Sequence, residues 1–228
     1  DVENNSKLSG VFIREGRYDF DISDNLKGGS MAELVRLRDH IIKGYQDHYN
    51  DLAKQISFEV NKLHASGTGI ERPLKRETSA FPVKPEMLAE PLADLKTGTF
   101  ELKLVNPEME IEESLSVEVE AGKDTLETIA NKINQAGGNV ADKDGFLPAD
   151  PKFRAEVNAD GTLTLVSGKG KRFIFSDDET NILPVLGFNC FFQLDKGASD
   201  IKVNSTFLQD EMAFSAGKGL VPGDNQIA

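Results

Sequence analysis

The chain has no tryptophan, three tyrosines and a single cysteine in 228 residues. Without tryptophan and with so few tyrosines, a stacking platform for bases or sugars is poorly supplied. The lone Cys190 excludes an internal disulfide and a cysteine-rich metal site. It lies in Phe188-Asn189-Cys190-Phe191-Phe192 and reads as a small buried hydrophobe. Basic residues are scarce: 26 Lys+Arg stand against 38 Asp+Glu, a net charge of -12. That balance argues against nucleic acid and against docking on anionic lipid. No apolar run reaches the roughly 18–20 residues of a membrane helix. No basic-then-apolar leader follows Asp1, so the chain is expected to be mature or cut from a longer one.

With 39% hydrophobic and 28% charged residues, the chain has enough apolar material for a packed core. Tyr18, Phe20 and Ile22 alternate with Asp19 and Asp21, the strand period of a half-buried sheet, stopped by Gly28-Gly29. Ser30 and Glu33 predict a capping box opening a helix. Leu34, Leu37, Ile41 and Ile42 begin an apolar stripe, and Gly44 weakens its middle. The stripe resumes as Tyr45, Tyr49, Leu52, Ile56 and Leu63, with Val60 beside it, until Gly67 and Gly69 end the helix. Each of these side chains gains about 1.5–3 kcal/mol on full burial, so the stripe calls for a partner element.

Residues 70–97 carry four of the nine prolines, at 73, 82, 85 and 91, and read as a linker without regular structure, ordered only if it runs along a neighbouring surface. From 98 the pattern changes. Phe100, Leu102 and Leu104 alternate, as do Val117 and Val119. Asp124 begins a capping pattern before Leu126, Ile129, Ala130 and Ile133, a helix stopped by Gly137-Gly138. Phe153, Ala155 and Val157, the turn Asn158-Ala159-Asp160-Gly161, then Leu163 and Leu165 predict a hairpin. Phe173 and Phe175 mark another strand, and 178–186 a short helix. The order β-β-α-β-β-β describes a compact α+β module. After it come an Ile201-Val203 strand signal, a weak helical run and a Gly-rich finish whose last residues resemble a helix start.

Catalytic and metal signatures are missing. His40 and His48 are eight residues apart, so they are not an adjacent helical metal pair. Asp142, Asp144 and Asp150 near Gly145 miss the calcium-loop order and read as a solvated loop. Gly168-Lys169-Gly170-Lys171-Arg172 lacks phosphate-loop spacing and reads as a charged turn. No Gly-x-Ser-x-Gly occurs. The reading is therefore no enzyme, no cofactor and no metal.

Val60-Asn61-Lys62-Leu63-His64-Ala65-Ser66-Gly67, preceded by Gly28-Gly29-Ser30 and Arg38-Asp39, resembles the flagellar hook-associated protein 1 family (FlgK), which joins hook to filament. Ala198-Ser199-Asp200-Ile201-Lys202-Val203-Asn204 and Gly223-Asp224-Asn225 are similar to its returning segment. Gly98-Thr99-Phe100, Thr125 to Asn134 and Asp160 to Leu163 resemble, more loosely, modules of flagellar axial proteins in general, flagellin and filament cap included. The resemblance implies a non-enzymatic, extracellular building block of the flagellum, exported through the flagellar channel without a cleaved signal. It implies a ring in the full-length protein, touching hook protein and a neighbouring hook-associated protein, with polymer-forming terminal helices beyond this fragment, which would itself be monomeric. It makes Asn61, His64, Gly67, Asn204, Asp224 and Asn225 structural motif positions, and Tyr45, Tyr49, Leu52, Ile56 and Leu63 the interaction stripe. The architecture expected is a discontinuous long-helix domain from 1–90 and 197–228, with 98–196 inserted as an α+β domain of mainly antiparallel strands. The alternatives are another flagellar axial protein, flagellin-like or filament cap, and, from another class, a secreted carbohydrate-binding or adhesin module.

Overall fold

The computed structural model describes residues 10–69, 73–194, 197–209, 213–215, 217 and 220. The fold is α+β. Strand β1 (Phe12–Glu15) and strand β2 (Tyr18–Asp21) form an antiparallel hairpin, with Arg14 opposite Asp19 and ion-paired to it at 2.7 Å. The alternation at 18–21 does mark a strand, but every residue of both strands is exposed, so neither face is buried against the described residues.

Helix α1 (Gly29–Arg36), a six-residue π-helical turn (Leu37–Ile42) and helix α2 (Lys43–Ala65) follow one another without a break. Gly28 caps α1 without a side-chain bond, and Glu33 pairs instead with Arg36 at 3.0 Å. The expected Ser30–Glu33 capping box is therefore not formed. The π turn ends two residues before Gly44, the position at which the sequence predicts the helix to be weakest. A π turn carries more residues than an α turn and shifts the phase of the apolar stripe where it occurs.

Two three-stranded antiparallel sheets hold the core. One runs β5 (Ile111–Val119), β4 (Gly98–Val105), β8 (Arg172–Asp178). The other runs β3 (Arg76–Thr78), β7 (Leu163–Ser167), β6 (Phe153–Val157). Helix α3 (Leu126–Ala136) packs against β5 and β6 and buries Leu126, Ile129, Ala130 and Ile133. Its cap is Thr125, in a reciprocal box with Thr128, one residue later than the sequence pattern places it. Asp124 instead gathers three donors, its carboxylate accepting from the Glu120 N–H, the Thr128 hydroxyl and the Lys132 ammonium. Burial alone would raise its pKa, but these donors win and hold the carboxyl below its usual range.

Phe153, Phe173, Phe175 and Phe188 run through the core ring to ring, at centroid distances of 5.2, 5.5 and 5.4 Å. The open edge of β6 is met by α3. Asn134 donates from Nδ2 to the Ala155 carbonyl and accepts the Ala155 N–H at Oδ1, both at 2.9 Å, imitating a neighbouring strand. The hairpin turn predicted at 158–161 is present. Gly161 there has φ +81°, and a Cβ would meet the Val83 carbonyl oxygen at 1.9 Å.

The stretch expected as a linker is ordered from Pro73 onward and belongs to the core layer. Leu74 exchanges both backbone bonds with Phe173 at 2.7 Å, and two residues later β3 pairs with β7. This one segment thus stitches the two sheets together. Leu92 is buried, and Leu74, Val83, Leu88 and Leu95 pack against the same cluster. Prolines are tolerated because β3 holds none, while Pro85 sits in a short 3-10 turn (Pro85–Met87). Helix α4 (Ile182–Leu186) and strand β9 (Phe192–Gln193) follow β8. Strand β10 (Lys202–Val203) pairs with β9, and helix α5 (Ser205–Gln209) comes next.

Because β3 and Leu92 complete the sheet and core, a fragment of residues 73–194 is expected to unfold in one cooperative thermal transition. A fragment of 98–196 should melt at a lower temperature or without cooperativity. Equal, sharp transitions for the two fragments would contradict this view of β3.

Candidate assembly surface and the joint beneath it

Helix α2 is amphipathic in an unusual sense. The residues it buries against the protein are Ala53, Ser57, Asn61, His64 and Ala65, mostly small or polar. Its apolar stripe faces water: Tyr45 and Tyr49 are each 63% exposed, Leu52 50%, Ile56 48% and Leu63 60%. Met31, Leu34, Leu37, Ile41 and Ile42 extend this exposed face back through the π turn and α1. The steps 45, 49, 52, 56 and 63 alternate four and three like a coiled-coil seam, with exposed Glu59 at its one interruption. All five stripe residues thus share one face, and nothing among the described residues covers it. The hairpin adds exposed Phe12, Ile13, Tyr18 and Phe20.

The opposite face is fastened by polar contacts. The Asn61 carboxamide donates to the Phe192 carbonyl at 2.8 Å and accepts the Phe192 N–H at 2.7 Å. Asn50 accepts the Ala198 N–H at 2.9 Å. One turn beyond Asn61, His64 lies 2.8 Å from the Asn189 carbonyl through Nδ1, and its Nε2 receives the Ser215 N–H at 3.0 Å. A backbone N–H can only donate, so Nε2 is the acceptor and Nδ1 carries the proton. The rings of Phe191, Phe207 and Phe214 surround the imidazole at 5.6, 4.8 and 5.2 Å. Asn189, itself left-handed at φ 47°, closes the helix end. Its Nδ2 donates to the carbonyls of His64 and Gly67 at 3.2 and 3.0 Å and to the Ser215 hydroxyl at 3.0 Å. The His64 carbonyl, in the last turn of α2, accepts this bond in addition to the one from the Gly67 N–H. Asn204 donates to the Cys190 carbonyl at 3.1 Å and caps α5 by accepting the Thr206 N–H.

The structure therefore brings Asn61, His64, Gly67 and Asn204 into one joint between α2 and the returning segment. Asp224 and Asn225 lie outside the described residues. Sequence reasoning missed Asn50, Asn189 and Ser215. The one available signal was Asn189, a polar residue inside the phenylalanine run 188–192.

Burial lowers the pKa of His64 against the weaker, raising influence of the Asn189 carbonyl, so the ring is held neutral. Burial raises the Cys190 thiol to about 11, with Glu77 adding to the rise, which leaves it protonated. Cys190 is 1% exposed. The acidic loop uses its carboxylates on backbone: Asp142 accepts the N–H groups of Asp144 and Phe146 at 2.9 Å each, and Asp150 accepts that of Lys169, in the turn after β7, at 3.0 Å. His40 and His48 are exposed on the helix. Among the described residues no three His, Cys, Asp or Glu side chains are grouped to hold a metal ion, and no helix is long and apolar enough to cross a membrane.

The folded-state pKa of His64 lies below its unfolded value of 6.5, so the unfolded chain binds more protons at lower pH. The contribution of His64 is complete above about pH 6.5 and is lost as pH falls through that value. Urea titrations from pH 8 to pH 5 should show wild-type stability falling relative to His64→Gln, which lacks this slope. Asn61→Ala, which strands both polar groups of Phe192, should cost on the order of 2–3 kcal/mol at pH 8. Parallel pH profiles for wild type and His64→Gln would contradict the assigned role of the ring.

No curated protein matches the chain significantly. The family model described as the flagellar hook-associated protein FlgK helical domain matches residues 1–75, the stretch that holds the hairpin, the long helix and the Asn61–His64–Gly67 end of the joint. That family is a structural part of the extracellular flagellum, associated with the hook and other axial proteins, and serves flagellar assembly and motility. Over residues 1–75 the chain is similar to the FlgK helical domain, and this match supports a flagellar hook-associated protein of the FlgK type.

Proposed function

We propose that the protein works at the hook–filament junction, as a non-enzymatic subunit whose long helix packs into the axial wall. The observation that carries this reading is the seam of Tyr45, Tyr49, Leu52, Ile56 and Leu63, left in water on a helix whose other face is engaged by the rest of the chain. Coiled-coil spacing suits a helical partner better than a sheet or a small ligand. In the assembled flagellum, helices of the axial assembly cover the seam, and copies of the full-length protein form a ring that meets hook protein on one side and another hook-associated protein on the other. The two-sheet body faces outward, since its apolar strand faces are already satisfied by α3 and by each other. Export through the flagellar type III channel without a cleaved signal belongs to the same reading, as does an isolated chain that stays monomeric. The net charge of -12 opposes side-by-side pairing of two copies.

Two measurements bear on this. In sedimentation equilibrium at micromolar concentration the isolated chain should run as a monomer of 25.0 kDa, and a stable ring would contradict the proposal. Leu52→Asp with Ile56→Asp touches exposed positions, so the isolated double variant should melt within about 0.5 kcal/mol of wild type. In the full-length protein the same pair should lose filament attachment, counted by electron microscopy, because carboxylates in an apolar contact cost about 3–6 kcal/mol in lost burial and desolvation. Normal attachment by a variant exported at wild-type levels would remove the seam from the interface.

A further inference from the structure

A cavity of about 80 Å³ lies beside the joint, where the loop after α2, strands β3 and β8, and the returning segment meet; Thr68, Glu77, Ile174, Asn189 and Asn204 are among its lining residues. Its polar lining is one-sided. The Nδ2 groups of Asn189 and Asn204 are already committed to carbonyls and to Ser215. Asn204 Oδ1 is taken by the Thr206 N–H. What remains includes the Thr68 hydroxyl and the Glu77 carboxyl, with no cation beside them among the described residues. The Thr68 hydroxyl has no hydrogen-bond partner, in a residue 6% exposed. Glu77 is half-buried as a residue; its carboxyl faces the Asn189 N–H and makes no ion pair among the described residues. Burial pushes its pKa up, the direction expected of a carboxylate short of positive charge. The titratable neighbour it influences, Cys190, is a neutral thiol and offers no cation.

A charge withdrawn from water without a counter-charge is costly and has to be neutralised or paired. A single water needs roughly 10–15 Å³ of such space, so the cavity has room for an ion and a few waters. Carboxylate, hydroxyl and water are hard oxygen donors, the set that holds hard cations. One carboxylate supplies one negative charge. A monovalent ion balances it, whereas a divalent ion would leave a net positive charge in place of the negative one.

We infer that this cavity is a binding site for a monovalent cation of the sodium–potassium class, held by the Glu77 carboxylate and the Thr68 hydroxyl with waters completing its shell. The ion ties β3 to the loop after α2 and so stiffens the joint that fixes the long helix on the sheets. This is independent of the role proposed for the exposed seam.

The test is thermal melting of the whole chain at pH 8 in sodium, potassium and choline chloride at equal ionic strength. A site occupied at a hundredfold excess over its Kd should raise the midpoint by about 5–10 °C over choline. Glu77→Gln should erase the difference between salts, and Thr68→Val should shift it to higher salt. Thallium-205 NMR of the wild-type chain gives a readout that needs no variant: a bound resonance displaced by potassium but not by choline. Identical midpoints in the three salts with no bound thallium signal would mean ordered water only and overturn the proposal. So would a salt-specific rise that persists in Glu77→Gln, or a response confined to magnesium or calcium.

Discussion

The structure depends on a helix that is held by its polar side. Asn61, His64 and the carbonyls at the end of α2 are met by Phe192, Asn189 and Ser215 in a closed set of hydrogen bonds, with three phenylalanine rings packed about the imidazole. Ordinary amphipathic helices bury an apolar stripe and leave polar residues outside. Here the fastening is directional instead, and it releases the apolar stripe for contacts outside the chain. A polar joint of this kind specifies one geometry, since each buried group is satisfied only in one arrangement. The orientation of the seam relative to the two sheets follows from it.

The joint also explains why the returning segment is where it is. Residues 189–194 and 197–204 supply partners for Asn50, Asn61 and His64. Gly197 comes so near Asn50 that a Cβ there would lie 2.2 Å from its Oδ1. The strand pair β9–β10 then carries the chain to Asn204, whose amide secures Cys190 and starts α5. The mutual arrangement of helix and sheets is therefore set by side-chain amides reading backbone, at Asn61 as at Asn134 on the edge of β6.

Much of this is legible in the sequence, for physical reasons. The alternation at Phe100, Leu102 and Leu104, the stripe Leu126, Ile129 and Ile133, and the turn at Asp160-Gly161 lie where each local preference agrees with the final packing. Strand β3 is not legible. Arg76-Glu77-Thr78 has no apolar period, and it is a strand only because β7 offers it an edge far away in the chain. The sequence pattern places the cap of α3 one residue early because both Asp124 and Thr125 are capping types, and only the fold assigns the aspartate to Lys132 and Glu120. The seam is legible as a face needing cover, but periodicity does not tell which face a protein keeps for itself. The joint is marked at Asn61 and His64 by resemblance to a family, while Asn189 becomes a partner only through tertiary placement.

The stitching of the sheets by residues 74–78 bears on how the chain acquires its shape. Leu74 meets Phe173, and Lys75 meets Ser167 across 92 positions of sequence. His64 meets Asn189 across 125. Contacts so distant along the chain close late, because the entropy of the intervening loop is lost before they form. For a chain that emerges from its N-terminal end, α2 takes up its helical form long before the partners that anchor it have appeared. The bearing of the seam thus depends on residues more than a hundred positions further along the sequence.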